Sequence, residues 1–418
     1  MPTPLIIWCI TALATAGVIL RPFRVPEYVW ALGGALVLVL AGLVPVHMAL
    51  GAVAKGDDVY LFLIGMMLLA EMARREGLFD WLATLAARQA RGSSQRLFDL
   101  VFVVGTLVTV FLSNDATAVV LTPAVYAATR AAKADPLPYL FICAFIANAA
   151  SFVLPISNPA NLVIYGRHMP PLLDWLAQFS LPSLAAIVLT YGVLRLTQRR
   201  HLRQPLAEVA PSGPLPLGAR LTALGIGVTA VLLLVVSALD RPLGLPTCAA
   251  GLLTVALVHG VRRRSPWAVF KGVAWGVLPL VAGLFVLVEA LALTGVIRHL
   301  AQLLDGWARS APGQATWGAG VLVAIACNLV NNLPAGLIAG SVGQLADLPA
   351  QTTSALVIAV DLGPNLSITG SLATLLWLIA VRREGLHVSA WTFLKLGLLV
   401  MPPALLGALA ASSWTLAD

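Results

Sequence analysis

Two acids and a set of amides stand where the chain is otherwise apolar. Asp115 lies in Ser113-Asn114-Asp115-Ala-Thr117, inside the hydrophobic stretch 97–130. Asp361 opens Asp361-Leu-Gly363-Pro364-Asn365, which continues to Ser367-Ile-Thr369-Gly370-Ser371-Leu-Ala-Thr374. Two further polar runs accompany them. One is Asn148-Ala-Ala-Ser151, continuing to Pro155-Ile-Ser157-Asn158-Pro159-Ala-Asn161; the other is Asn328-Leu-Val-Asn331-Asn332-Leu-Pro334. Side-chain amides donate and accept hydrogen bonds without carrying charge, so such clusters can hold an uncharged polar solute. A charged Asp inside a bilayer costs at least ~2.5 kcal/mol and is a functional candidate by default. The substrate-contact set is therefore Ser113, Asn114, Asp115, Asn148, Ser151, Asn158, Asn331, Asn332, Asp361 and Ser371, with Asp115 and Asp361 as the groups that trade protons. Asn and Ser also serve as hydrogen-bonding glue between membrane helices, and a fixed structural carboxylate stays open for each Asp. Four clusters together favour a site.

Other chemistry is thinly represented. Cys9, Cys143, Cys248 and Cys327 are far apart, and no CxxC, HExxH, GxGxxG or P-loop pattern occurs, which argues against a resident metal, a cofactor or nucleotide hydrolysis. Cys143 and Cys327 lie near the clusters, so thiol ligation of a soft substrate is the weaker alternative. Glu71 and Glu289 sit at span ends, where pairing with a basic residue such as Arg74 or Arg75 one turn on is the structural reading. Trp30, Trp267 and Trp391 read as interfacial anchors.

The elements that position these residues are membrane helices. The chain has 418 residues, 59% hydrophobic and 11% charged, against about 25% charged in soluble domains. A helix needs about 20 apolar residues to cross the hydrocarbon. The spans expected are 4–20, 26–46, 59–76, 138–165 (broken), 176–196, 219–239, 245–261, 275–297, 353–380 (broken) and 392–413. The stretches 97–130 and 315–346, polar at their centres, read as re-entrant hairpins. The first apolar run reads as a retained span rather than a signal peptide. Of the 26 Lys and Arg, only Lys55, Arg167, Arg241, Arg298 and Arg309 then fall on one side. Cytoplasmic loops are enriched in these residues, so both termini are expected outside and the basic linker inside, in a bacterial inner membrane. The net charge of +8 is thus assigned to topology rather than to nucleic acid.

The pattern recurs. Arg21-Pro-Phe-Arg-Val-Pro26 returns as Arg241-Pro-Leu-Gly-Leu-Pro246. Glu71 with Gly77 returns as Glu289 with Gly295, Phe111-Leu-Ser-Asn114 as Leu329-Val-Asn-Asn332, and the run 148–161 as 361–374, all some 213 to 220 positions further on. Five crossings per half would invert the second. The expectation is an all-α polytopic protein of two inverted-topology repeats, 1–205 and 219–418, joined by a cytoplasmic linker at 206–218. The hairpin tips lie near 113–117 and 328–334, and the discontinuous helices near 148–161 and 361–374. Prolines and glycines at these breaks free backbone groups, which survive in lipid only where they line a cavity or are buried in protein. Inverted repeats with broken helices mark secondary transporters whose site lies near the bilayer midplane.

The run Asp361-Leu-Gly-Pro-Asn-Leu-Ser-Ile-Thr-Gly-Ser-Leu-Ala-Thr-Leu-Leu-Trp377 resembles the signature of the arsenical-pump membrane protein family, the bacterial arsenite and antimonite efflux carriers of the ion-transporter superfamily. Ser113-Asn-Asp-Ala-Thr117 with Leu121-Thr-Pro123 resembles its first hairpin, and Asn331-Asn332-Leu-Pro334 its second. The resemblance implies export of arsenite and antimonite as trivalent trihydroxides, driven by proton entry. It also implies, for some relatives, coupling to a cytosolic arsenite-stimulated ATPase. Relatives can carry Asp where this chain has Asn148, and Ser157-Asn158-Pro159 is similar to the tips of sodium-coupled dicarboxylate carriers. The alternative is accordingly a sodium/proton antiporter or a sodium-coupled carboxylate carrier. Neutral arsenite suits the residues: no Arg or Lys falls in any cluster, whereas a dicarboxylate favours a guanidinium. A passive channel and a membrane-embedded hydrolase built on Asp115 and Asp361 are lesser readings.

Overall fold

A chain this apolar forms helix because each amide in lipid must be paired internally. In the computed structural model the described residues are 3–166, 169–207, 213–346 and 348–415. They form helices and connecting turns, with no strand among the described residues beyond one bridge between Ser93 and Pro205. Arg167 and the linker's 208–212 lie outside them.

The first half runs α1 (Thr3–Leu20), α2 (Glu27–Leu40), α3 (Val46–Ala54), α4 (Asp57–Arg75), α5 (Leu78–Gln89), α6 (Ser94–Phe111), α7 (Asn114–Ala116), a π-helical turn (Thr117–Leu121), α8 (Thr122–Ala131), α9 (Leu137–Ala149), α10 (Pro159–Tyr165) and α11 (Leu172–Gln198). The second runs α12 (Leu217–Ala238), α13 (Gly244–Arg262), α14 (Trp267–Gly272), α15 (Val277–Leu293), α16 (Val296–Ser310), α17 (Pro312–Val330), α18 (Asn332–Ala346), α19 (Ala350–Leu362), α20 (Leu372–Arg383) and α21 (Ala390–Thr415). The same order of long, short and broken elements runs through both. Gly77 (φ 76°) and Gly295 (φ 84°) turn the chain in the left-handed region before α5 and α16, a conformation glycine adopts without a Cβ penalty.

Among the described residues, α1, α6, α11, α12, α13, α17 and α21 are long and apolar enough to cross a membrane, and α15 with α16, bent by 74°, makes an eighth. Of the ten spans expected, α2 and α9 are short, and α4 carries Asp57 and Asp58 at one end and Glu71, Arg74 and Arg75 at the other. The hairpin limbs α6 and α17 have 18 and 19 residues, about 27 Å at 1.5 Å per residue. That is long enough for either to cross the hydrocarbon, and α6 begins at the polar Ser94-Gln95-Arg96. Leu13, Leu40, Leu253 and Leu329 are more than two-thirds exposed, a surface that suits lipid.

Close helix contacts tie the halves together crosswise. α4 packs on α13 and α2 on α15. A Cβ on Gly65 would lie 2.2 Å from the Thr247 carbonyl oxygen, and one on Gly283 would lie 2.7 Å from the Ala31 backbone. Gly65 and Gly283 hold corresponding places, so the same small-residue device that lets membrane helices approach serves both crossings. α11 and α21, each with internal proline, pack along one another. Glu71 is buried and bonds Arg74 and Arg75, as its spacing suggests, while Glu289 reaches across to Lys55 at 2.6 Å. Trp267 and Trp391 are exposed. Trp30 differs from its expected interfacial role: its indole lies over Gly17, between α1 and α2.

Candidate functional site

Each break is shaped by its own residues. Ser113 is extended (φ −177°, ψ 165°) and its Oγ accepts from the Ala116 amide, starting α7 at the first hairpin tip. Asn158 starts α10 by accepting from the Ala160 amide at 3.1 Å, and Ser371 starts α20 by accepting from the Thr374 amide at 3.1 Å. Such caps satisfy amides that a helix start leaves unpaired. Asn331, between α17 and α18, adopts φ 73°, ψ 153°. That region is essentially reserved for glycine and costs a side-chain-bearing residue ~1–3 kcal/mol. The conformation is held by the Asn331 Nδ2 bond to the Thr369 carbonyl (3.2 Å) and by the Asn332 amide bond to the Gly370 carbonyl (2.8 Å).

The two broken helices interlock. Asn148 Oδ1 accepts from Ser371 Oγ at 3.2 Å, and its Nδ2 donates to Asn365 Oδ1 at 3.0 Å and Thr374 Oγ1 at 3.2 Å. Asp361 Oδ1 accepts from Asn158 Nδ2 at 2.5 Å and is met by Ser151 Oγ. Asn148 corresponds in the repeat pattern to Asp361, and Asn158 to Ser371. The Asn148–Ser371 and Asp361–Asn158 bonds are therefore the same contact made in opposite directions. The centre of this network is shielded from water: Asn148, Ser151, Asp361, Asn365 and Ser371 have no exposed surface. The second oxygen, Asp361 Oδ2, is buried without a partner.

The hairpins close on this network. α7 and the π-helical turn pack against α20 and α9, and α18 packs against α10. Ser157 Oγ donates to the Val110 carbonyl of α6. At the second tip Asn328 Oδ1 accepts from Ser367 Oγ at 2.7 Å and its carbonyl accepts from Thr369 Oγ1. The structure thus joins Asn148, Ser151, Asn158, Asp361 and Ser371 directly and sets Asn331 and Asn332 against 369–370. Ser113, Asn114 and Asp115 stand at the other tip. Asp115 shares no hydrogen bond with the network: its carboxyl has no partner among the described residues and is partly exposed. The Asn332 side-chain amide is likewise unpaired, and Asn114 Oδ1 accepts only from the Asp115 amide. Asn161, Asn328, Asn365, Ser367, Thr369 and Thr374 belong to the arrangement although the sequence does not single them out. Their signal was membership of the same polar runs.

Cys143 and Cys327 are fully buried, each 3.9–4.0 Å from a helix carbonyl oxygen. No group of three or more His, Cys, Asp or Glu that could hold a metal ion exists among the described residues. The arrangement offers neutral donors and acceptors, with Asp361 inside the network and Asp115 at the first hairpin tip.

The family model described as "Citrate transporter" matches residues 5–381. The chain belongs to that transporter family. The chain is 27% identical over 373 residues to an arsenical pump membrane protein of Yersinia enterocolitica and 28% identical over 365 residues to one of Escherichia coli K12, covering 83% of this chain and 84% of each relative. These relatives bear out the arsenical-pump resemblance read from residues 361–377. An uncharacterized transporter of Mycobacterium tuberculosis is 28% identical over 414 residues, 94% of each chain. The crystal structure of the Alcanivorax borkumensis YdaH transporter, described as having an unusual topology, superposes with a TM-score of 0.57 at 17% identity, over 99% of this chain and 98% of that one. It shares the fold. This member of the family is a multi-pass membrane transporter.

Proposed function

We propose that the protein exports arsenite and antimonite from the cytoplasm by proton antiport, with the trihydroxide held between the two hairpin tips and the crossed helix breaks. The observation that carries this reading is the buried Asn148–Ser371 and Asn158–Asp361 pair, built from uncharged amides and hydroxyls with one acid among them. A pyramidal trihydroxide offers three donors and three sets of lone pairs. It matches the free amide of Asn332, Asn114 and the carboxyl of Asp115, with no cation needed.

The acids supply the coupling. Ser151 Oγ has one hydrogen but two oxygens within reach, the Asn148 carbonyl at 2.7 Å and Asp361 Oδ1. A proton on Asp361 lets both contacts be hydrogen bonds. Its loss commits the Ser151 hydrogen to the carboxylate, the stronger acceptor, and leaves the Asn148 carbonyl contact without a proton and Oδ2 still bare. Proton exchange at Asp361 thereby changes how tightly the two breaks are joined, which a carrier alternating between two faces requires. Asp115, unpaired at the first tip, takes up the proton that accompanies release.

In this reading the halves 1–205 and 219–418 are inverted copies. The hairpins and broken helices move against a scaffold containing the crossed α4–α13 and α2–α15 contacts, and both termini lie outside the cytoplasm of a bacterial inner membrane. A cytosolic arsenite-stimulated ATPase, where one is supplied, docks on the basic cytoplasmic face.

The second reading, a sodium-coupled carboxylate carrier, is favoured by the family model's description as a citrate transporter. Equilibrium binding to the purified protein separates the two. Arsenite and antimonite compete with each other and are indifferent to citrate and sodium in the first. Sodium-dependent citrate binding that excludes arsenite would establish the second.

A further inference from the structure

Away from the crossed breaks, α6 and α11 part around a cavity of about 310 Å³ lined by Gln95, Gly192, Arg195, Leu196, Arg199 and Leu202. Its mouth is cationic. Arg195 is fixed in place, its Nη2 donating to Gln95 Oε1 at 3.2 Å, its Nε 3.6 Å from Asp99 Oδ1 and its guanidinium 5.7 Å from the Phe98 ring centre. The Arg199 side chain is exposed and makes no hydrogen bond or ion pair with a described residue. Asp99 is the acid on this side and is already shared between Arg195 and the Tyr191 hydroxyl (2.8 Å). Gln95 stands in the first turn of α6, whose unpaired amides add partial positive charge.

Beyond the cavity α11 is apolar on its surface. Leu181, Leu184, Val188 and Leu196 are all exposed on α11 at the three- to four-residue spacing, or a multiple of it, that keeps side chains on one helix face. Gly192 falls in the gap between Val188 and Leu196, and no atom lies within 4 Å of where its Cβ would be. A notch therefore runs from the cationic mouth down the stripe of a helix long enough to span the bilayer.

We propose that this groove binds an anionic phospholipid, with the phosphate on Arg199 and Arg195 and one acyl chain along Gly192 and the leucine stripe. Guanidinium pairs with phosphate through two parallel donors, and basic pockets between membrane helices bind anionic head groups. The stripe distinguishes a lipid from free phosphate, which has no use for it. A zwitterionic lipid would bring its own ammonium against the guanidiniums.

The test uses the delipidated full-length protein in neutral detergent. Phosphatidylglycerol, phosphatidylcholine with the same acyl chains, or inorganic phosphate is added, and bound lipid is read by native mass spectrometry and thermal unfolding. Phosphatidylglycerol is expected to stay bound and raise the melting temperature, while the other two do neither. Arg199→Gln should weaken phosphatidylglycerol binding at least fivefold. Gly192→Phe, which fills the notch without changing charge, should do the same. Arg382→Gln with Arg383→Gln, at the end of α20, should leave binding unchanged. Equal binding of the two lipids, an equal shift with inorganic phosphate, or wild-type lipid retention in either groove variant would overturn the proposal.

Discussion

Replacing Asp361 by Asn and by Ala separates the two duties assigned to this residue. In Asp361→Ala the buried Asn158 Nδ2 loses its acceptor at 2.5 Å. An orphaned buried donor costs about 1–3 kcal/mol, and the small void left by the carboxyl adds roughly 1 kcal/mol at ~24 cal/mol per Å³ of cavity. A loss of about 2–4 kcal/mol follows, at a position with no exposed surface. Asp361→Asn, with its carbonyl in the Oδ1 place, still accepts from Asn158 and Ser151, and its NH2 falls where Oδ2 already lacks a partner, so its cost stays within about 1 kcal/mol of the wild type. Thermal unfolding in detergent measures the first duty, and arsenite uptake into everted vesicles under an imposed pH gradient measures the second. The Asn variant should melt with the wild type and lose gradient-driven uptake. The Ala variant should lose both. If the Asn variant is as unstable as the Ala variant, the residue is a structural carboxylate. If it still accumulates arsenite in response to the gradient, the coupling role is wrong.

Four further outcomes are expected. Asn332→Ala should raise the KM for arsenite about 2- to 12-fold, the worth of one neutral hydrogen bond of ~0.5–1.5 kcal/mol, without lowering the melting temperature, because that amide makes no internal bond; transport kinetics in vesicles reads this directly. Asn331→Gly should relieve ~1–3 kcal/mol of backbone strain against the loss of two bonds, one to the Thr369 carbonyl and a long one from the Leu333 amide, giving a melt close to wild type, whereas Asn331→Val should unfold earlier. Gly65→Ala places a methyl 2.2 Å from the Thr247 carbonyl oxygen and should destabilise by about 1–3 kcal/mol through overpacking, seen as lower yield of folded protein and a lower melting temperature. Lys55→Met should change stability by no more than about 1 kcal/mol, the worth of an exposed ion pair, and leave uptake within twofold; Lys55 is mostly exposed.

The breaks were legible because Pro, Gly and Asn inside apolar runs have few other uses, and helices do stop at Leu112–Ser113 and Asn331 and restart at Asn158 and Ser371. The pairing of Asn148 with Ser371 and of Asp361 with Asn158 was not. It joins residues more than 200 positions apart and leaves no periodic trace. The repeat offsets contained it in latent form, since a crossed contact between symmetric segments must occur twice. Helices α3, α5 and α14 were missed as separate elements because they are short and charged or small-residue rich, below the length at which apolar periodicity declares itself. Trp30 shows the limit of composition rules: a Trp near a span end reads as an anchor, but Gly17 on the neighbouring helix opens a seat for it. The span expected at 59–76 corresponds to α4, whose terminal charges lower its hydropathy although its middle is buried.

The central claim is that an uncharged arsenic trihydroxide is moved by a proton gradient through neutral amides and two acids. Radiolabelled arsenite uptake into everted vesicles containing only this protein, with the pH gradient imposed and then collapsed by an ionophore, tests it most directly. The account predicts accumulation against the arsenite gradient while the pH difference lasts and efflux to equilibrium once it is gone. Accumulation that persists after collapse, or uptake that never exceeds equilibrium, would contradict it.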